Sequence, residues 1–160
     1  MFTFIVTFLI TYALFSISGV LFPVDPAYYT ELRKPSWNPP AKLFGIVWSV
    51  LYALISLSVA IVYTKTDGFQ EAAYSYTVIL FINYLANQAF SFFQFKLKNL
   101  RLAYLDSFLV ALTTCLLIYA TLPYSKLAAW LLVPYLLWSC FATFLAWTIY
   151  QLNKEPNHSV

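Results

Sequence analysis

The sequence predicts an all-α membrane protein, a single bundle of five transmembrane helices, and three observations carry that prediction. Only 9% of the 160 residues are charged while 62% are hydrophobic, whereas a soluble domain is about one quarter charged. Asp, Glu, Lys, Arg and His are absent from five runs, Met1–Val24, Leu43–Thr64, Ala72–Phe95, Ser107–Ser125 and Leu127–Asn153. Each run is close to the roughly 20 residues that a helix needs to cross a bilayer. Lipid cannot hydrogen-bond a bare backbone, so the runs must be helical; barrel strands would be about 10 residues long.

The helices are expected at about 2–22, 43–64, 72–95, 102–123 and 127–152, in one domain spanning 1–160. The first has no Lys or Arg ahead of it, is too long for a signal-peptide core and lacks a small-x-small cleavage site, so it reads as a retained helix. Ser16, Ser18 and Gly19 give it a small face suited to close packing. The loop 23–42 holds five prolines and the string LRKPSWNPP. Proline fixes φ and pushes its predecessor towards extended geometry, so this loop should be a stiff lid, with a short helical turn around Tyr28–Leu32.

In the second helix Phe44, Trp48 and Tyr52 fall in one row, and in the fifth Pro134, Trp138, Ala142 and Leu145 do the same. Asn83, Asn87, Phe90 and Gln94 share one face of the third. Amides are costly in lipid, so this stripe must point inwards, either to bond other helices or to contact a ligand. Aromatic rows usually pack a core, but three such faces converging also suit a flat apolar ligand oriented by a few amides. Pro134 should loosen the fifth helix. Asp106 is the one acid inside a helical segment and lies about a turn from its end, so it reads as structural, reaching the interface or pairing with Arg101. Leu145, Tyr150 and Lys154 fit the permissive L-x-Y-x-K sterol pattern.

The first and third loops and the C-terminal tail carry Arg33, Lys34, Lys42, Lys96, Lys98, Arg101 and Lys154, and the other side only Lys65 and Lys126. The positive-inside rule therefore places the first loop and the C-terminus in the cytoplasm and the N-terminus outside, in a multi-pass cell-membrane protein. That placement also accounts for the net charge of +3 without nucleic acid. Cys115 and Cys140 lie far from a second ligand and read as packing residues, and no metal site is expected. The sole histidine is His158, in the tail, so an axial imidazole for haem iron is not expected. No Ser-His-Asp set, phosphate loop or buried carboxylate pair is available for conventional catalysis.

Taken together, KPSWNPP at 34–40 followed by FGIVWSVLYALISLSVAIVY at 44–63 resembles the translocator protein / tryptophan-rich sensory protein (TspO/MBR, peripheral-type benzodiazepine receptor) family, with its W-x-P-P and V-W-x-x-L-Y motifs. NYLANQAFSFFQF at 83–95 is similar to the family's third helix and VPYLLWSCFATFLAWTIYQLN at 133–153 to its fifth. The resemblance covers nearly the whole chain and is closest to the bacterial branch. It implies a five-helix bundle, often a homodimer, that binds protoporphyrin IX and, in many members, benzodiazepine-type drugs and cholesterol. It also implies light-dependent oxidative degradation of the porphyrin, which would be ligand or substrate, with no covalently bound cofactor. Carried over by motif, the pocket would comprise Tyr29, Trp37, Pro39, Trp48, Asn83, Asn87, Phe90, Trp138 and Ala142, and the sterol motif Leu145, Tyr150 and Lys154. Many members have Trp where Phe90 stands, and their sterol motif is tighter.

Two functions follow as expectations. The first is a tetrapyrrole-binding protein in which Trp48 and Trp138 flank the macrocycle and supply electrons to its photoexcited state, which would make the chain an enzyme without a conventional catalytic set. The second is a porphyrin or sterol transporter, or a stress-sensing receptor, without chemistry. A third reading of the same residues is a structural membrane protein whose aromatics only pack.

Overall fold

A computed structural model describes residues 1–154; His158 lies outside them. The described chain contains no strand. Helix α1 spans Phe2–Leu21, α2 Pro26–Glu31, α3 Ala41–Lys65, α4 Tyr74–Ser91, α5 Leu100–Thr121, α6 Lys126–Leu131 and α7 Val133–Asn153. Five stretches are long and apolar enough to cross a membrane, the last formed by α6 and α7 together. The principal neighbours are α1 with α3, α3 with α6, α7 with α5, α5 with α4 and α4 with α1, so the spans close into a ring.

Contacts between the loops show which ends lie together. The Lys65 Nζ donates to the Tyr124 carbonyl at 3.3 Å and the Ala73 N–H to the Tyr124 hydroxyl at 2.7 Å, joining the second and fourth loops. Asp25 pairs with Lys98 at 3.0 Å, and the Arg33 N–H donates to Asn153 Oδ1 at 3.0 Å, joining the first loop, the third loop and the end of α7. Five antiparallel crossings require this arrangement.

The outside is as apolar as the inside, whose core of Phe15, Ile55, Leu117 and Leu132 is interspersed with small polar residues. Ile46, Val50, Phe81, Leu116, Leu137 and Phe144 face outwards, while Ser56, Ser58, Asn83, Thr114, Thr121 and Ser139 are buried. Small hydroxyl residues let helices approach closely, and their polar atoms are mostly met by their own helices. Thus Ser56, Thr114 and Thr121 donate to the carbonyls of Tyr52, Val110 and Leu117 at 2.6, 2.7 and 2.6 Å.

Local sequence explains the interruptions. Pro26 opens α2, with Asp25 as its N-cap accepting from the Tyr28 N–H at 3.1 Å. The third span ends in a π-helical turn, Phe92–Lys96, closed by the Leu97 N–H on the Phe92 carbonyl at 2.9 Å, and Asn99 then caps α5. The fifth span, expected as one helix over 127–152, is broken at Leu132. Pro134 has no N–H to give the Trp130 carbonyl, and it disfavours helical geometry at the residue before it.

Three sequence expectations fail here. Gly19 is exposed, and a Cβ there would meet nothing within 4 Å, so only Ser18 of the small face is buried. Cys115 and Cys140 are exposed on the outer surface of the bundle and are not packing residues of the core. Asp106 does not pair with Arg101: among the described residues the one ion pair is Lys98 with Asp25. A carboxylate facing inwards from α5 cannot reach a cation on the helix's outer face.

Candidate functional site

The aromatic rows of α3 and α7 meet. The rings of Phe44 and Trp138 lie 5.9 Å apart, edge to face, and those of Trp48 and Tyr135 lie 6.2 Å apart. On α7 Trp138 continues to Phe141 at 5.1 Å, and on α3 Trp48 continues to Tyr52 at 5.6 Å. Tyr52 in turn reaches Phe15 of α1 at 5.8 Å, and Phe15 reaches Tyr84 of α4 at 5.3 Å. Rows spaced by four residues put these side chains on the facing sides of two helices, and edge-to-face geometry suits their quadrupoles.

Beside this seam α3 and α7, with Pro134 at the start of α7, frame an apolar cleft of about 480 Å³, lined by Val47, Leu51, Leu54, Pro134, Trp138 and Phe141 among others. Ile46, Val50 and Leu137 at its mouth are exposed, so it opens sideways towards lipid. Its volume falls in the range of about 300–1,000 Å³ that small-molecule sites occupy. The indole Nε1 of Trp138 is buried with no acceptor. A buried donor in that condition costs about 1–3 kcal/mol.

The lid loop lies across α7. Trp37 stacks on Phe144 at 5.4 Å with an interplanar angle of 12°, and meets Phe141 edge-on at 6.1 Å. Trp37 as a whole remains 43% exposed. Asn153 accepts the Arg33 N–H and returns a bond to the Arg33 carbonyl at 2.9 Å, clamping the loop to the last turn of α7. Within the loop, Asn38 donates to the Tyr29 hydroxyl at 3.2 Å and to the Pro39 carbonyl at 2.9 Å, and the Lys34 ammonium sits 4.7 Å from the Tyr29 ring centre while bonding the carbonyls of Tyr29 and Leu32. At the loop's start the Lys98 ammonium and the Tyr28 amide hold the Asp25 carboxyl below its ordinary range.

The amide stripe of α4 lies deeper. Asn83 is 0% exposed and donates to the hydroxyls of Thr113 and Thr114 at 2.9 and 3.0 Å. Its Oδ1 accepts from the Tyr135 hydroxyl at 3.2 Å, and that hydroxyl accepts from Asn87 Nδ2 at 3.1 Å. Both N–H groups of Asn83 are spent on α5, while Asn87 keeps one free. Gln88 extends the network, donating to Asn87 Oδ1 at 3.2 Å and to the Phe15 carbonyl at 3.1 Å, and accepting from the Ser18 N–H at 2.8 Å. Four helices are thereby joined through one chain of polar groups.

Of the sequence-derived site residues, the structure brings Trp48 and Trp138 to one aromatic seam and Trp37 onto α7 beside it. Asn83 and Asn87 sit in the interhelical network, Phe90 and Ala142 are half-buried on α4 and α7, and Tyr29 and Pro39 are half-buried in the loop. The sterol-like motif does not form one surface: Leu145 is 4% exposed inside the bundle, whereas Tyr150 stacks on Tyr104 at 5.3 Å and Lys154 is exposed at the helix end. A five-residue step turns Tyr150 well away from Leu145 on a 3.6-residue helix. Sequence reasoning missed Tyr135 and Gln88. Tyr135 precedes Trp138 by three residues and Gln88 adjoins Asn87, which were the available signals.

No group of three or more His, Cys, Asp or Glu that would hold a metal occurs among the described residues. The TspO/MBR family matches residues 3–152. The chain is 53% identical to the Tryptophan-rich protein TspO of Bacillus cereus over 149 residues, 93% of this chain and 95% of that one. It is 37% identical to the Tryptophan-rich protein TspO of Chlorobaculum tepidum, covering 85% and 87%. With the human Translocator protein the identity is 34%, covering 79% and 75%. A ring of five apolar spans, a tryptophan-bearing seam and these likenesses lead to one assignment: the chain belongs to the TspO/MBR family.

Proposed function

We propose that this membrane protein binds protoporphyrin-type tetrapyrroles against the α3–α7 seam and promotes their light-dependent oxidative degradation. The observation that carries this reading is the placement of Trp48 and Trp138 on facing helices, with the buried, unpartnered Nε1 of Trp138 beside an apolar cleft of about 480 Å³. A flat macrocycle suits aromatic walls, and indole is the most readily oxidised of the aromatic side chains. In this reading Trp138 and Trp48 donate electrons to the photoexcited ring or to the oxygen species it generates, and dioxygen is the terminal oxidant. Tyr52, whose ring lies 5.6 Å from that of Trp48, is the neighbour from which an oxidised Trp48 would recover an electron. Trp37 on its clamped loop packs on Phe144 and on Phe141, and Phe141 itself lines the cleft; Tyr29, Pro39, Phe90 and Ala142 are the further residues that the family resemblance assigns to the pocket. Asn83 and Asn87 hold the bundle behind the seam, Asn87 through the hydroxyl of Tyr135, whose ring packs on Trp48. Benzodiazepine-type drugs, being flat and apolar, would compete for the same walls.

Illumination of the purified protein with protoporphyrin IX, followed by absorption spectroscopy, tests the reading. Loss of the porphyrin bands should slow about ten-fold or more in Trp48→Phe/Trp138→Phe, the scale of about 1.4 kcal/mol in a barrier. Equal loss in wild type and variant would sink it.

A second reading, transport or sensing without chemistry, is favoured by the sideways opening of the cleft. It is also favoured by the names of relatives, the Translocator protein of human and the Tryptophan-rich sensory protein of Cereibacter sphaeroides. Flux of labelled porphyrin into liposomes no faster than into protein-free ones would count against transport.

A further inference from the structure

At the end of the bundle that carries the first loop, the turn between α4 and α5 and the last turn of α7 border a shallow, open hollow of about 310 Å³. Lys98, Asn99, Arg101, Tyr150, Asn153 and Lys154 line it. The three cations come from two parts of the chain far apart in sequence, so folding gathers them, which loop charge alone does not require. No carboxylate lines the hollow among the described residues. Lys98 gives one bond to Asp25, and its side chain keeps 48% exposure. Arg101 and Lys154 are exposed and form no ion pair among the described residues. Tyr150, stacked on Tyr104, fixes one wall, and Asn153, held by the Arg33 backbone, fixes another.

We propose that this hollow is a binding site for the phosphate of an anionic phospholipid. The planar guanidinium of Arg101 presents paired N–H groups matching two phosphate oxygens, and Lys154 and Lys98 add point charges around it. Basic hollows between membrane helices receive anionic head groups on the same physical grounds. The setting favours a lipid over a free anion. Leu102, Leu105 and Leu109 run from the hollow along the exposed face of α5, where acyl chains would lie, and Leu97 is exposed at its rim. In this assignment Tyr150 and Lys154, separated from Leu145 by the turn of the helix, serve a head group.

The test is native mass spectrometry of the detergent-solubilised full chain with added phosphatidylglycerol or phosphatidylcholine. Wild type should retain phosphatidylglycerol in preference, and each cation removed should weaken that retention about five-fold. Arg101→Gln/Lys154→Gln should therefore abolish the preference, while Arg101→Lys/Lys154→Arg and Lys65→Gln/Lys126→Gln, the latter at the opposite end, should keep it. Equal retention of the two lipids by wild type would overturn the site, as would a preference that survives Arg101→Gln/Lys154→Gln or vanishes equally in Lys65→Gln/Lys126→Gln. Displacement of phosphatidylglycerol by millimolar inorganic phosphate would overturn the lipid assignment in favour of a free-anion site.

Discussion

Tyr135 is the residue on which the interior turns, because its single hydroxyl accepts from Asn87 and donates to Asn83 at once. Tyr135→Phe keeps the ring packed on Trp48 but leaves Asn83 Oδ1 without a donor. It should cost about 1–2 kcal/mol, within the range for an orphaned buried polar group, and appear as a lower Tm in detergent. Asn83→Ala should cost at least as much, since it strips partners from Thr113, Thr114 and Tyr135 together. At the opposite end of the bundle, Gly68 has φ +72°, and a Cβ there would meet the Tyr63 hydroxyl at 3.3 Å. Gly68→Ala should lose about 1–2 kcal/mol in the same thermal assay, the cost of forcing an L side chain into left-handed geometry. The amides were legible in the sequence because their spacing puts them on one face and lipid forbids them to face outwards. Tyr135 was not, because a tyrosine in an apolar run reads the same whether its hydroxyl meets an amide or the interface.

The α2 segment and its loop are held by polar contacts at both ends, Asp25 with Lys98 at one and Arg33 with Asn153 at the other. The Asp25 carboxyl is depressed below its ordinary value of 3.8, first by the Lys98 hydrogen bond and then by the Tyr28 amide. A depressed carboxylate stabilises the fold fully above its ordinary value, and that contribution fades as pH falls through the lower folded value. A spin label at Thr30 should thus report an unchanged, ordered loop from pH 7 to about 5, and a rise in mobility only below 3.8. Lys98→Ala should raise the mobility already at pH 7 and shrink the rise in acid, because the larger cause of the depression is gone. The five spans, the stiff proline loop and the weakness at Pro134 could be read from chemistry that each residue carries alone. The π-helical turn at Phe92–Lys96 could not, since a shift of one hydrogen-bond register leaves no mark in composition.

For the whole molecule, the loop contacts fix which ends lie together, and the sequence adds a direction: seven cations at one end and two at the other. By the positive-inside rule a cysteine placed at Lys96 should react with a membrane-impermeant maleimide only after cells are opened, and one placed at Asp67 in intact cells. Cys115 and Cys140, on apolar spans facing outwards, should stay unlabelled in both. The ring of helices followed from hydropathy and length. The cleft did not, because it depends on how side chains of α3 and α7, distant in sequence, pack against each other, which no local pattern encodes. Its sideways mouth, framed by Ile46, Val50 and Leu137, sets how any ligand is metered. A greasy molecule reaching it meets the protein from the bilayer, so occupancy follows mole fraction in lipid and not molarity in water. Titrations at different lipid-to-protein ratios should therefore give aqueous midpoints that drift with the amount of lipid, and collapse onto one curve when dose is expressed per lipid.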